Sequence, residues 1–369
     1  MIDSVIAGKT HVTHTMIPKV QSGRNIPCLN CFLGNKSKIV FLITLVCIIC
    51  SYTGLRWYAT AKYQPEDDVR DLTTVVVPDN LTVHKTSGTT FPLSNSSTIT
   101  QTKPQVYEKR LPHFIIIGVK KSGTRALLSF IKMHPDIVTT GMEVHFFDRN
   151  ESYEQGLDWY RDMMPASLPD QLTGEKSPGY YRTLFVPQRI HEMNSSIKLI
   201  LVVREPIERC MSNYLQHASK NARHGSFASE VLLSNGEVNE QSPHVFNSNY
   251  DLFIDMWLKR FPRKQLKIVD GNLLITHPHL VLQEVQEFLG VRQYINEEFF
   301  QYDEKKGFYC YFNESEFKCL GDSKGRAHPE ISPAVKLKLY QYFQLRNELF
   351  FKKIGKRFDW KVNLTGNGS

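Results

Sequence analysis

No stretch of this 369-residue chain repeats another, which excludes solenoids, propellers and other arrays of one unit. Acidic residues are nearly missing at the start: residues 1 to 38 hold Asp3 alone against Lys9, Lys19, Arg24, Lys36 and Lys38. Cysteine is sparse, seven in all, and Cys28 and Cys31 have no second CxxC pair nearby, so juxtamembrane acylation or no role fits them better than a zinc knuckle. The long apolar run, Ile39 to Leu55, is short of a typical bilayer span, 17 residues where about 20 are usual. It also lacks a small-residue cleavage site and follows too long a polar segment for a secretory leader, so it reads as an anchor.

Lys38 and Arg56 bound that run, the basic excess precedes it, and Glu66, Asp67, Asp68 and Asp71 follow it. The N-terminus is therefore expected to face the cytosol, as in a type II anchor, and a short one suits the thin membranes of the early secretory pathway. The expected organisation is a cytoplasmic tail (1–38), a transmembrane signal anchor (39–55), a flexible lumenal stem (56–110) and one globular domain (111–369). The stem lacks sustained periodicity and is rich in Ser and Thr, so it cannot bury a core. Sequons at Asn80, Asn95, Asn150, Asn194, Asn313 and Asn363 fall on the expected lumenal side. A net charge of +8 favours an acidic partner, whether nucleic acid, anionic membrane or a sulfated glycan, without choosing among them. Cys310 and Cys319 close a short loop that suits a disulfide in a lumenal domain, and Cys210 is left as a buried helix residue.

What is present is organised around Leu111 to Met133, LPHFIIIGVKKSGTRALLSFIKM. A β-branched and aromatic run, Phe114 to Val119, reads as a buried strand; Ala126, Leu127, Phe130 and Ile131 then follow helical spacing. Between them a basic, glycine-containing loop makes a phosphate cradle at a helix start. Gly118 and Gly123 fit the GxxxxGK[ST] spacing, but Thr124 stands where that rule needs Lys and Arg125 where it needs the magnesium-binding hydroxyl. The loop is thus suited to hold phosphate without a metal. A solvated turn is the plain alternative, and the downstream residues weigh against it.

Strands and helices alternate onward, which argues for an α/β domain with a mostly parallel central sheet flanked by helices. Strands are expected at Ile137 to Thr140, Ile197 to Val203 and Leu266 to Val269, with Gly141 to Phe147 extended. Helices are expected at Pro206 to about His217, Tyr250 to Arg260 and Pro278 to Leu289 closed by Gly290. A last helix opens at Ser332-Pro333, with Val335, Leu339, Tyr342, Phe343, Phe350 and Ile354 on its apolar side.

Ligands of such sheets collect beyond the carboxyl ends of the strands. Arg204 follows a buried strand where a P-loop ATPase needs an Asp for magnesium, and with Ser212 two turns on it suits a second phosphate; an ion pair with a neighbouring carboxylate is the alternative. Glu143 and His145, two apart in an extended segment, share a face, so Glu143 is a candidate base with His145 orienting it or sharing the proton and Asp148 as an orienter or ion-pair partner; a structural salt bridge is the plain alternative for Glu143. Lys176 is read as a loop cation beside the same cleft.

Six ordered segments now carry a resemblance: Lys120-Lys-Ser-Gly-Thr-Arg-Ala-Leu-Leu128, Glu143-Val-His-Phe-Phe-Asp148, Glu175-Lys-Ser-Pro178, Val203-Arg-Glu-Pro206, Gly307-Phe-Tyr-Cys310 and Ser323-Lys-Gly-Arg-Ala-His-Pro329. In that order they resemble the heparan sulfate glucosamine 3-O-sulfotransferases, over roughly residues 111 to 360. The resemblance implies a P-loop-like sulfotransferase fold behind a Golgi type II anchor, and 3'-phosphoadenylyl sulfate (PAPS) as donor with no metal required. It implies that Lys121, Ser122, Gly123, Thr124 and Arg125 hold the phosphosulfate, Arg204 and Ser212 the 3'-phosphate, and that Tyr309 with Lys324, Gly325, Arg326, Ala327 and His328 close over the nucleotide. Glu143 would deprotonate the glucosamine 3-hydroxyl, with Lys121 and Lys176 stabilising transferred charge and His145 and Asp148 assisting. Lys120, Arg125, Glu143, His145, Arg149, Lys176 and Ser177 would meet heparan sulfate, with Arg161 and Arg182 further along the groove, and Cys310 and Cys319 match the family's disulfide. Ser122 where Gly is usual, Asn213 where Asp is common, and Gly179 where Ala is usual are the departures. Gly141 and Gly321 leave the cleft wide, which points to an acceptor site tolerant of varied sulfation. A magnesium-dependent kinase and a non-catalytic glycan-binding membrane protein are the rival readings; nucleic acid is not an expected partner.

Overall fold

The computed structural model describes residues 106–220, 224–313, 315–321 and 328–364. The tail, the anchor and most of the stem lie outside them; among the described residues no helix is long and apolar enough to cross a membrane. Five strands carry the domain: β1 (Phe114–Gly118), β2 (Ile137–Thr139), β3 (Leu172–Lys176), β4 (Lys198–Val203) and β5 (Leu266–Asp270). They form one sheet in the order β2-β3-β1-β4-β5, all neighbours parallel, with Ile116 opposite Lys176 on one side and Ile200 on the other. A parallel sheet needs crossovers that cover both faces, which is why FIIIG and KLILVV are apolar at nearly every position. Ile115, Ile117, Leu199 and Leu201 enter one core with Tyr160, Tyr180 and Trp257; Phe114, Ile116, Ile200 and Val202 enter the other with Leu127, Val281 and Val285.

The longer helices are α1 (Thr124–Ile131), α2 (Val186–Met193), α3 (Pro206–Ala218), α4 (Pro278–Leu289) and α5 (Pro333–Ile354). Glu205 caps α3 by accepting from the Glu208 N–H at 2.8 Å, Ser332 caps α5, and Gly290 ends α4 at φ 76°. The first turns of α5 pack Val335, Leu339 and Phe343 against Ile207 and Met211 of α3, while Phe350, Phe351 and Ile354 join the sheet core, so one helix ties two clusters. An antiparallel meander, β6 (Phe300–Asp303), β7 (Phe308–Asn313) and β8 (Glu316–Lys318), follows α4 and holds the Cys310–Cys319 disulfide; Cys210 is buried and free.

Three expectations need correction. Lys176 is no loop residue but the end of β3, an inner strand. Gly141 to Phe147 is not extended: the strand stops at Thr139, and His145 takes a left-handed φ of 54°. Tyr250 to Arg260 is not one helix but a 3-10 turn, Tyr250–Leu252, followed by a short helix, Ile254–Leu258. Tyr250 is drawn inward there, its hydroxyl donating to the Arg204 carbonyl at 2.8 Å.

Candidate active site

The carboxyl ends of β1, β3 and β4 open on a cavity of about 830 Å³. The loop after β1 forms its floor. Lys121 and Gly123 both hold positive φ, 77° and 104°, so successive N–H groups turn toward one side as in an anion nest. The first turn of α1 has neither an acidic residue nor a side-chain cap, which leaves its N–H groups for a ligand. The loop is held from behind. A Cβ on Gly271 would lie 2.3 Å from the Ser122 carbonyl oxygen, so glycine is what lets the exit of β5 press against it. Arg209, 1% exposed, donates Nη1 to the Lys120 carbonyl at 3.1 Å, Nε to Ser248 Oγ at 2.6 Å and Nη2 to the His244 carbonyl at 2.8 Å.

A chain of alternating charges rises on the β3 side. Asp148 Oδ2 meets His145 Nδ1 at 3.0 Å, His145 Nε2 meets Glu143 Oε2 at 3.2 Å, and Glu143 Oε1 accepts from Lys176 Nζ. The left-handed turn at His145 is fixed by its N–H on Ser177 Oγ at 3.0 Å and by the Tyr180 hydroxyl, which accepts from the Phe146 N–H at 2.9 Å. Asp148 and then Glu143 raise the His145 pKa to about 9. The hydrogen bond from His145, aided by Lys176, lowers Glu143 to about 2 against the opposing effect of burial. At neutral pH the carboxylate is therefore ionised and the imidazole protonated. Lys176 is 1% exposed, and burial lowers its pKa while Glu143 opposes that. Beneath them Glu175 is fully buried, accepts from the Tyr160 hydroxyl and Ser177 Oγ at 2.8 Å each, and has its pKa raised by desolvation.

The β4 side carries a second cationic patch. Arg204 Nη2 lies 3.2 Å from Glu208 Oε2, and His328 Nδ1 lies 2.8 Å from the same oxygen, which with Arg204 lowers the Glu208 pKa. Ser212 faces the cavity from the next turns of α3, and Lys306 to Tyr309, running into β7, add to the wall with Leu274, Ile275 and Leu320.

The Sulfotransferase domain family matches residues 111–357. Heparan sulfate glucosamine 3-O-sulfotransferase 5 of Mus musculus is 44% identical over 258 residues, 68% of this chain and 75% of that protein. The 3B1 enzyme of Mus musculus is 42% identical over 257 residues, 68% of this chain and 65% of that protein. This chain belongs to the heparan sulfate glucosamine 3-O-sulfotransferase family. The fold has a more distant likeness in a sulfotransferase from Alicyclobacillus acidocaldarius, with TM-score 0.51 and 19% identity over 68% of this chain and 98% of that one.

In this member of the 3-O-sulfotransferase family, Lys120, Lys121, Ser122, Gly123, Thr124, Arg125, Glu143, Lys176, Arg204, Ser212, Tyr309 and His328 line the same cavity. His145 and Asp148 stand behind Glu143. Arg149 is exposed at the start of a short helix and Ser177 is wholly buried, its hydroxyl engaged by Glu175 and the His145 N–H; neither lines this cavity. Arg161 pairs with Asp158 and Arg182 donates to Asn247, both away from the wall. Lys324, Gly325, Arg326 and Ala327 lie outside the described residues. Two charged wall residues were missed: Glu208, which its i+4 spacing from Arg204 on an expected helix could have revealed, and Lys306, just ahead of the Gly307-Phe-Tyr-Cys310 segment.

Proposed function

We propose that this protein transfers a sulfuryl group from PAPS to the 3-hydroxyl of glucosamine residues in heparan sulfate, without a metal, from a Golgi membrane that it spans once through 39–55 with its catalytic domain in the lumen. The observation that carries the reading is the placement of an ionised carboxylate, Glu143, against a buried lysine on the same cavity as the anion-nest loop. Bound PAPS supplies the sulfuryl group and a phosphate leaving group. Lys121 and the N–H groups of 122–125 suit its phosphosulfate, and Arg204 with Ser212 suits its 3'-phosphate. The cavity volume, about 830 Å³, lies in the range of small-ligand sites, and the charged residues of its wall are mostly cationic.

At rest Glu143 is a poor base, because His145 and Lys176 both favour its ionised form. An anion arriving at Lys176 competes for the ammonium, and Glu143 then gains proton affinity as the sugar hydroxyl approaches. His145, held by Asp148, keeps the carboxylate aimed, while Lys176 and Lys121 stabilise charge on the leaving oxygens. Arg204 stands where a magnesium-dependent kinase needs a carboxylate. Lys120 and Arg125, both exposed, suit the acceptor's sulfates through individually weak, salt-sensitive pairs. A Cβ on Gly141 or Gly321 would meet open space, which supports a wide acceptor site.

The test is transfer of labelled sulfate from PAPS to heparan sulfate by the purified full chain, with and without magnesium, followed by disaccharide mapping. Label on the glucosamine 3-position at equal rates is expected. Label at another position, or a magnesium requirement, overturns the reading. Protease protection in sealed microsomes checks the orientation.

A further inference from the structure

One polar cluster has no part in the cavity. His217 lies in the last turn of α3, His224 follows that helix, and His244 sits in the short helix Pro243–Phe246. One nitrogen from each ring lies within 4.8 Å of those from the others. The Glu230 carboxylate closes the group, with Oε1 3.4 Å from His224 Nδ1 and Oε2 3.8 Å from His244 Nε2. His224 Nδ1 is buried and makes no hydrogen bond, an orphan in a place where buried polar atoms are normally satisfied. On the far side of His244, the Asn213 amide lies 2.9 Å from Nδ1.

We propose that His217, His224, His244 and Glu230 form a binding site for one divalent transition-metal ion of the zinc class. Three imidazoles and a carboxylate are a common donor set for such ions, and no thiolate is needed. With the Asn213 carbonyl oxygen turned onto a protonated Nδ1, His244 presents the Nε2 lone pair to the cluster, its ring held by a hydrogen bond on the far nitrogen as metal-bound histidines usually are. Metal–nitrogen bonds of about 2.0–2.1 Å need the donors closer than they stand, and His217 and His224, both only half-buried, can close by rotation. Glu230 brings negative charge to the site, while Lys120 and Lys220 beside His217 and Arg209 beside His244 oppose added positive charge.

The ion would act at a distance from sulfuryl transfer. The His244 carbonyl accepts from Arg209, which also holds the Lys120 carbonyl, so fixing His244 braces the anion loop from behind.

The full chain is prepared in detergent in a Cys28→Ser/Cys31→Ser background, which removes the CxxC pair as rival ligands, stripped with chelator and titrated with Zn²⁺ and Co²⁺. Uptake of one equivalent, a Co²⁺ spectrum without thiolate charge transfer, and a Zn²⁺-dependent rise in Tm are expected. His224→Ala and His217→Ala should each weaken binding by about 10-fold or more. Asn213→Asp, which leaves the ligands in place, should tighten it by making His244 more basic. The site is refuted if the parent takes up no stoichiometric metal or if His224→Ala binds as tightly as the parent. Should the alanine variants misfold, an Asn213→Asp variant of unchanged affinity refutes it equally.

Discussion

Glu143→Gln keeps the shape of the side chain and removes its charge. In the native protein this carboxylate meets His145 Nε2 at 3.2 Å and accepts from Lys176 Nζ, and the two hold its pKa at about 2. The amide can still accept one of these bonds but takes no proton from a sugar hydroxyl. A positioned general base contributes about 10²- to 10⁴-fold, and so acidic a carboxyl works well only after Lys176 turns to a bound anion. The lower part of that range is therefore expected, a fall in kcat of about 10²- to 10³-fold, or about 3–4 kcal/mol. Nucleotide affinity should not fall, because the change removes a negative charge from an anion site. With an ion pair at a half-exposed carboxylate worth at most about 1 kcal/mol, the affinity for desulfated donor should move by less than about fivefold. Initial rates at saturating donor and acceptor, alongside calorimetric titration with the desulfated donor, separate the two effects. Turnover above about a tenth of wild type would assign the proton to another group. Loss of nucleotide binding in step with rate would make Glu143 a structural residue.

Asp148→Asn removes the largest cause of the raised His145 pKa. Because that value is raised, to about 9, the stabilisation is fully present below pH 6.5 and is lost as pH climbs through 9, so the variant should lose activity and Tm at lower pH than wild type. NMR titration of the ring checks it, and an unmoved midpoint refutes it. Glu143 has the opposite sign: its pKa is depressed, so its contribution is present above pH 4.5 and lost as pH falls toward 2. Arg209→Leu strands the Lys120 and His244 carbonyls and Ser248, a cost of about 2–5 kcal/mol that calorimetry would read as a lower Tm, with a raised donor KM from the loosened loop. Gly174→Ala places a Cβ 2.1 Å from Phe114 Cζ inside β3 and should cost about 1–3 kcal/mol in denaturant unfolding; unchanged stability would mean that the ring can move aside.

The elements legible in the sequence are those whose signal is local. β1 and β4 announce themselves as apolar runs, α4 by its closing glycine and α5 by Ser332-Pro333, because burial on both sheet faces and helix capping are written in adjacent residues. β3 was missed because Thr173, Glu175 and Lys176 are polar yet buried. Their partners, Ser167, Tyr160 and Glu143, come from other parts of the chain, so no window of sequence contains the reason they can be inside. The pairing of Glu143 with His145 was expected from strand alternation, and the two do meet, but through a left-handed turn held by Ser177 and Tyr180. Arg209 gave no sign of its task, since its partners are carbonyls and a hydroxyl from distant segments. The short aromatic strands β6 to β8 carry no periodicity long enough to read.

Arg209 brings a whole positive charge to a place where its hydrogen-bond partners are uncharged oxygens. Mobile ions reach the solvent-facing Lys120 and Arg125 but not the interior beneath them, so the electric potential over the anion nest keeps a contribution that dissolved electrolyte does not erode. Raising ionic strength should accordingly release the polysaccharide well before the nucleotide, leaving a charged, donor-loaded enzyme waiting for its next chain.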